Sequence, residues 1–173
     1  MTRGFRPSTT RSTWALYGKS VLNAALFFAV FMILAPWASH RLAPVLLPMP
    51  LRLRSAGVIL AIAGGAVWIA CLDVFSRRGR GTPFPLDAPS RLVESGPFAV
   101  IRNPIMAAEL AVIWGEALYF GALGLFAYAA VATLAAHVIV VRVEEPELRA
   151  RFGEQFETYC RSVPRWLPRA GRP

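Results

Sequence analysis

Two short stretches hold the residues best suited to chemistry. "IRNPIMAAEL" carries Arg102, Asn103, Pro104 and Glu109, and "AAHVIVVRVEEPEL" carries His137, Glu144 and Glu145. An arginine offers a planar fork of donors for a carboxylate or phosphate. Asn-Pro reads as a helix start, with Asn able to cap free amides and Pro suited to the first turn. The first turn at Pro104, Ile105 and Met106 then offers backbone amides, from the residues after the proline, and the positive end of the helix dipole, and both favour an anion. Two adjacent glutamates can accept hydrogen bonds from an amine or from ribose hydroxyls. A ligand of mixed charge would satisfy both stretches. Cys71 and Cys160 are far apart in sequence and form no CxxC, so neither a disulfide nor a metal site is expected.

These residues must be held by apolar elements, because the chain offers little else. Of its 173 residues, 55% are hydrophobic and 17% charged. Apolar stretches cover 21–38, 56–72, 104–120 and 123–141. A bilayer core ~30 Å thick needs about 20 helical residues, and a soluble chain of this size has no interior to hide four such runs. The fold class expected is an all-α integral membrane protein of four transmembrane helices with a C-terminal amphipathic cytoplasmic helix. Residues 1–20 form a basic tail, 21–75 the first helix pair, 76–103 a cytoplasmic loop, 104–143 a helical hairpin and 144–173 the C-terminal segment. The first run is read as a retained helix, because Pro36-Trp37 is a poor cleavage site.

The net charge of +9 raises nucleic acid as a partner, but its placement argues for topology instead. Sixteen of the nineteen basic residues lie in the N-terminal tail, between Arg77 and Arg102, or from Arg142 onward. That asymmetry favours both termini and the site on the cytoplasmic side of a multi-pass protein. In the second run, Gly57, Ala61, Gly64 and Gly65 form a small-residue face for close helix packing. Leu148, Phe152, Phe156, Tyr159 and Val163 recur at helical spacing, so the last segment is expected to lie amphipathic at the inner surface.

If the third and fourth runs form an antiparallel hairpin turning near residue 123, residues equally far from the turn share a depth. Arg102 and Asn103 then stand level with Glu144 and Glu145, and Glu109 stands level with His137. A carboxylate in that position should face the bundle and find a partner. A Glu109–His137 pair would either fix the hairpin or line a polar pocket. Glu116, nearer the other end, is read as structural.

"SGPFAVIRNPIMAAEL" followed by "EEPELRARFGEQFETYCRSVPRWLP" resembles the bacterial branch of the isoprenylcysteine carboxyl methyltransferase and phospholipid methyltransferase superfamily, over about residues 91–168. In that signature Gly96, Pro97, Arg102, Pro104, Glu144 and Glu145 match, while Phe98, Asn103 and Met106 replace tyrosine, histidine and tyrosine. The resemblance implies an integral protein of the bacterial inner (cytoplasmic) membrane with S-adenosylmethionine as cofactor. Its acceptor would be a lipophilic small molecule or membrane lipid presenting a carboxylate, amine or thiol. Arg102 and the Pro104 helix end would position the cofactor carboxylate, and Glu145 with Glu144 would meet its ammonium or ribose. Asn103 and Met106 occupy cofactor-facing positions, and Phe98, Tyr159 or Trp166 would pack the adenine. Arg102, Glu145, Glu109 and His137 are the candidate catalytic residues. No nucleic acid and no obligate protein partner are expected. The alternatives are a membrane reductase using a nicotinamide cofactor and a non-enzymatic membrane scaffold.

Overall fold

A computed structural model describes residue 26 and residues 29–74 and 91–169. The basic tail, the start of the first apolar run and residues 75–90 of the polar loop, including Phe75 and Phe84, lie outside the described residues. A π-helical turn, Ala29–Leu34, leads into α1 (Ala35–Leu42), which carries Pro36 in its first turn. The long helix α2 (Leu51–Val74) follows. A 3-10 turn (Gly96–Ala99) precedes α3 (Pro104–Phe120), and α4 (Leu123–Ile139) runs through a π-helical segment (Val140–Glu144) into α5 (Glu145–Phe152). The short helix α6 (Glu154–Ser162) comes last.

Four crossings are not what these elements provide. Among the described residues two helices are long and apolar enough to cross a membrane, Leu51–Val74 and the continuous run Leu123–Phe152. Helix α3 has 17 residues, about 26 Å of rise, and carries Glu109 and Glu116. The described part of the first apolar run passes from its π-helical turn into α1 at Ala35 and carries Pro36 in that helix's first turn. A proline inside an apolar run removes a ladder hydrogen bond and ends or bends the helix. The expectation of a four-helix transmembrane protein is corrected accordingly. The multi-pass placement in the bacterial inner membrane, with both termini and the site cytoplasmic, rested on those crossings and is withdrawn with it.

The tightest packing is between α2 and α3. A Cβ added at Gly57 would stand 2.6 Å from the Gly115 carbonyl oxygen, and one at Gly64 2.7 Å from that of Ala108. The helix backbones therefore touch, which only glycine permits here. On the other side of α3, Ile113 packs with Met32 and with Ala129 of α4. The proline-rich connection before α2 is tied to the α3–α4 turn by Leu47 N–H to Gly121 O (2.7 Å) and Leu123 N–H to Val45 O (2.9 Å). Gly121 itself closes α3 in the left-handed region, φ 68°, where a side chain would be strained.

The C-terminal segment also differs from expectation. It is two helices rather than one, broken at Gly153 with φ 52°. The apolar face of α6, formed by Phe156, Tyr159 and Val163, is buried against Leu92, Leu148, Phe152 and Cys160. That face is covered by the chain's own loop and by α5 instead of resting on a membrane surface. The polar end of the molecule is thereby closed down onto the start of α3.

Candidate functional site

The start of α3, the start of α5 and the segment after α6 meet at one corner. Helix α3 begins at Pro104 because Asn103 is not helical (φ −120°, ψ 57°) and Pro needs no hydrogen bond there. The Asn103 carbonyl accepts from the Ala107 N–H at 3.0 Å, but its side chain does not cap the helix. Instead the Asn103 amide donates to the Arg165 carbonyl at 3.2 Å, leaving the first turn of α3 without a side-chain cap. Beside it, the Arg102 N–H donates to the Pro164 carbonyl at 2.8 Å. Segment 164–166 is thus strapped across the arginine-asparagine-proline corner.

Glu145 stands at the centre, 6% exposed. Arg165 grips it bidentately, Nε to Oε1 at 2.7 Å and Nη2 to Oε2 at 2.8 Å. Arg102 Nη2 lies 3.3 Å from Oε1. The apolar run of α4 gives way to Arg142 and Glu144, so Glu145 lies beyond it. Burial pushes its carboxyl up, but the hydrogen bonds from Arg165 and the charges of Arg102, Arg165 and Arg149 outweigh that and hold it below the usual range. The same hydrogen bonding raises the Arg165 guanidinium above its ordinary value. Arg102 Nε is buried with no hydrogen-bond acceptor among the described residues. A buried charged donor in this state has capacity for an anionic oxygen.

The aromatic residues divide the site's surroundings. The Tyr159 hydroxyl donates to the Phe98 carbonyl at 2.6 Å, and both residues are buried. Burial pushes the Tyr159 phenol well up, so it remains a neutral donor. This bond ties α6 to the 3-10 turn and so to Arg102. Phe98 itself packs with Cys71, Val93, Val74 and Ile105, so it supports the corner from α2's side.

The structure brings together Arg102, Asn103, Pro104 and Glu145, with Phe98 and Tyr159 supporting them. Met106 lies half-buried on α3. Glu144 is half-buried beside Glu145 and has no hydrogen-bond partner among the described residues. Glu109 and His137 do not pair. Glu109 Oε1 accepts from the Trp68 indole at 3.2 Å, and His137 Nδ1 accepts from the Trp166 indole at 3.2 Å. Equal depth on two helices leaves rotation about each axis open, and a third element supplied each partner. Sequence reasoning missed Arg165 and Trp68, and it read Trp166 as an adenine-packing aromatic where the structure shows it donating to His137. Arg165 was counted only among the basic residues from Arg142 onward, and no spacing rule links position 165 to 145.

Glu109 and Trp68 also line a small cleft with Met32, Gly65, Ala108 and Val112. Its walls are almost wholly apolar. No group of three or more His, Cys, Asp or Glu side chains converges to hold a metal among the described residues.

Comparison with known proteins gives the family. The family described as phospholipid methyltransferase matches residues 53–155. That stretch holds α2 to α5 and includes Arg102, Glu109 and Glu145, but stops short of Arg165. The chain is also 32% identical over 122 residues to the cobalt-zinc-cadmium resistance protein CzcN of Cupriavidus metallidurans. The alignment covers 70% of this chain and 50% of that protein, so the chain spans about half the length of this curated relative. With more than half of its residues inside the match, the chain belongs to the phospholipid methyltransferase family.

Proposed function

We propose that this chain transfers a methyl group from S-adenosylmethionine to a lipophilic or membrane-associated acceptor. Family membership supports the reaction class, and the corner around Arg102 and Glu145 supports where the cofactor sits. The observation that carries the reading is the buried Arg102 Nε, without a hydrogen-bond partner among the described residues, beside the first turn of α3 with no side-chain cap. Together they suit the carboxylate of an amino acid moiety, through a charged donor and backbone amides.

The residues then divide the work. Arg102 and the α3 N-terminus bind the carboxylate. Glu145 holds the Arg102 and Arg165 guanidiniums in place, so its role is positioning. Glu144, half-buried and without a hydrogen-bond partner among the described residues, accepts from the ammonium or ribose. Asn103 fixes the strap at Arg165, and Tyr159 with Phe98 walls the site against water. When bound, S-adenosylmethionine supplies a methyl group already activated by a positive sulfur, so the protein's share is alignment and exclusion of water. The exposed apolar faces of α2 and α4, including Ile59, Ile62, Val131 and Leu134, suit an acceptor that arrives through lipid.

Labelled-methyl transfer in membranes containing the full chain tests this reading, with lipid, protein and small-molecule fractions separated afterwards. Label in the lipid or lipophilic fraction, lost with Arg102→Ala, is the expected result. Folded protein that takes up no label, with thermal stabilisation by a nicotinamide cofactor instead, would overturn it.

A further inference from the structure

The end of the molecule away from the Arg102 corner is fixed by backbone contacts. The end of α1, the connection 43–50 and the α3–α4 turn meet there. A side chain on Gly124 would run into the Ser39 carbonyl, and one on Gly121 into that of Leu47. Leu46 and Ala122 form an antiparallel bridge. Helix α2 then starts at Leu51, with the Leu53 and Arg54 amides bonded to the Pro50 carbonyl.

This fixed frame leaves its apolar side chains uncovered. Leu42 is 86% exposed, Leu51 80% and Leu46 63%, and Val45, Phe120 and Leu123 are exposed with them. Six large apolar residues displayed on one ordered end mark a contact surface. Arg41, Arg52 and Arg54 are exposed at the same end. The Arg41 guanidinium lies over the Trp37 ring, 5.2 Å from its centre. None of the three arginines pairs with a carboxylate among the described residues. The sequence gives the reason, since residues 29–72 and 117–143 contain no Asp or Glu, and Glu116 lies one turn inside α3. Arg52 and Arg54 also occupy the first turn of α2, where the helix dipole disfavours cations. The chain itself does not offset this charge.

Both helices long and apolar enough to cross a membrane, Leu51–Val74 and Leu123–Phe152, begin at this end. An arginine can keep its stem in an apolar layer and its guanidinium among headgroups. We propose that this end is a lipid-docking surface that selects anionic phospholipids through their phosphates, with Leu42, Leu46 and Leu51 among the acyl chains. A zwitterionic head brings an ammonium for which this surface has no carboxylate, and the Trp37 ring is already engaged by Arg41. An anionic head brings only the charge that the arginines lack. Helix α3, about 26 Å of rise over its 17 residues, separates this end from Arg102. A lipid held here is therefore a structural lipid and not the methyl acceptor, and the inference does not depend on the proposed reaction.

The full chain in nanodiscs of equal phosphatidylglycerol and phosphatidylcholine tests it, each lipid in turn carrying a diazirine next to its headgroup. Crosslinked positions are mapped by mass spectrometry. Phosphatidylglycerol is expected to label residues 41–54 and 119–123 about tenfold more than phosphatidylcholine. Combining Arg41→Gln, Arg52→Gln and Arg54→Gln is expected to bring the two lipids to parity there, with S-adenosylmethionine binding unchanged. Combining Leu42→Ser and Leu46→Ser is expected to lower labelling by both lipids about threefold while the selection survives. Equal labelling of the native chain by the two lipids, or selection that outlasts the arginines, would overturn the proposal. Absence of lipid labels at this end, with two copies of the chain crosslinked through it, would assign the surface to self-association and overturn it equally.

Discussion

Two buried or half-buried carboxylates in this molecule are stabilised in opposite ways. Glu145 is enclosed by two guanidiniums and locked by a bidentate pair. Glu109 has a single indole donor and apolar neighbours. The first arrangement is dense and closed, and its removal strands positive charge. The second rests on one hydrogen bond among apolar walls. The contrast separates a carboxylate held by opposite charges from one held by a single hydrogen bond, and each prediction below presses on that difference.

The largest effect is expected at Glu145. Removing it with Glu145→Ala leaves Arg102 buried without its counter-charge, which typically costs ~3–5 kcal/mol. Denaturant unfolding in detergent should show that loss together with loss of S-adenosylmethionine binding. The matching change Glu109→Gln should cost far less, because the indole keeps an acceptor. Similar destabilisation by the two substitutions would erase the distinction.

Next comes the helix interface that carries Glu109. Gly64→Leu forces a side chain into the α3 backbone and should destabilise by about 1–3 kcal/mol, the usual cost of overpacking. Gly65→Ala, one residue on, should leave the thermal midpoint unchanged. A comparable drop for both would mean that the space beside Gly65 is not open.

A smaller effect is expected at Tyr159→Phe, which leaves the Phe98 carbonyl without its buried donor, at about 1–3 kcal/mol. The change should loosen α6 from the 3-10 turn, seen as faster amide exchange at 96–101 with little change in α2.

The smallest effect concerns acid. Glu145 has a carboxyl pKa below the ordinary glutamate value of about 4.3, so its ion cluster stabilises the fold fully at neutral pH. That contribution drains as pH falls through the ordinary value toward the lower folded one. Unfolding midpoints measured from pH 7 downward should fall less steeply in Glu145→Gln than in the native chain. Parallel curves would contradict the account.

Some of this was readable in the residues. Depth along two antiparallel helices is set by rise per residue, which is why counting from the turn near Gly121 puts Arg102 level with Glu145. Rotation about the helix axis is set by packing. Glu109 therefore faces Trp68 on α2, and His137 meets Trp166 after α6. The four-crossing expectation treated each apolar run as a unit. Pro36 and the shortness of α3 were visible in the sequence, but their effect depends on how neighbouring elements close around them. Arg165 stayed hidden because its partner is 20 residues away, and only the fold-back of the strap after Pro164 joins them.

The central claim is that the corner joining Arg102, the α3 N-terminus and Glu145 is a seat for S-adenosylmethionine. Equilibrium binding of that cofactor to the purified full chain, native and Arg102→Ala, tests it most directly. Saturable binding weakened about a hundredfold by the substitution, with the fold intact by circular dichroism, is the predicted result. Folded native protein with no saturable binding, or equal affinity in the variant, would contradict it.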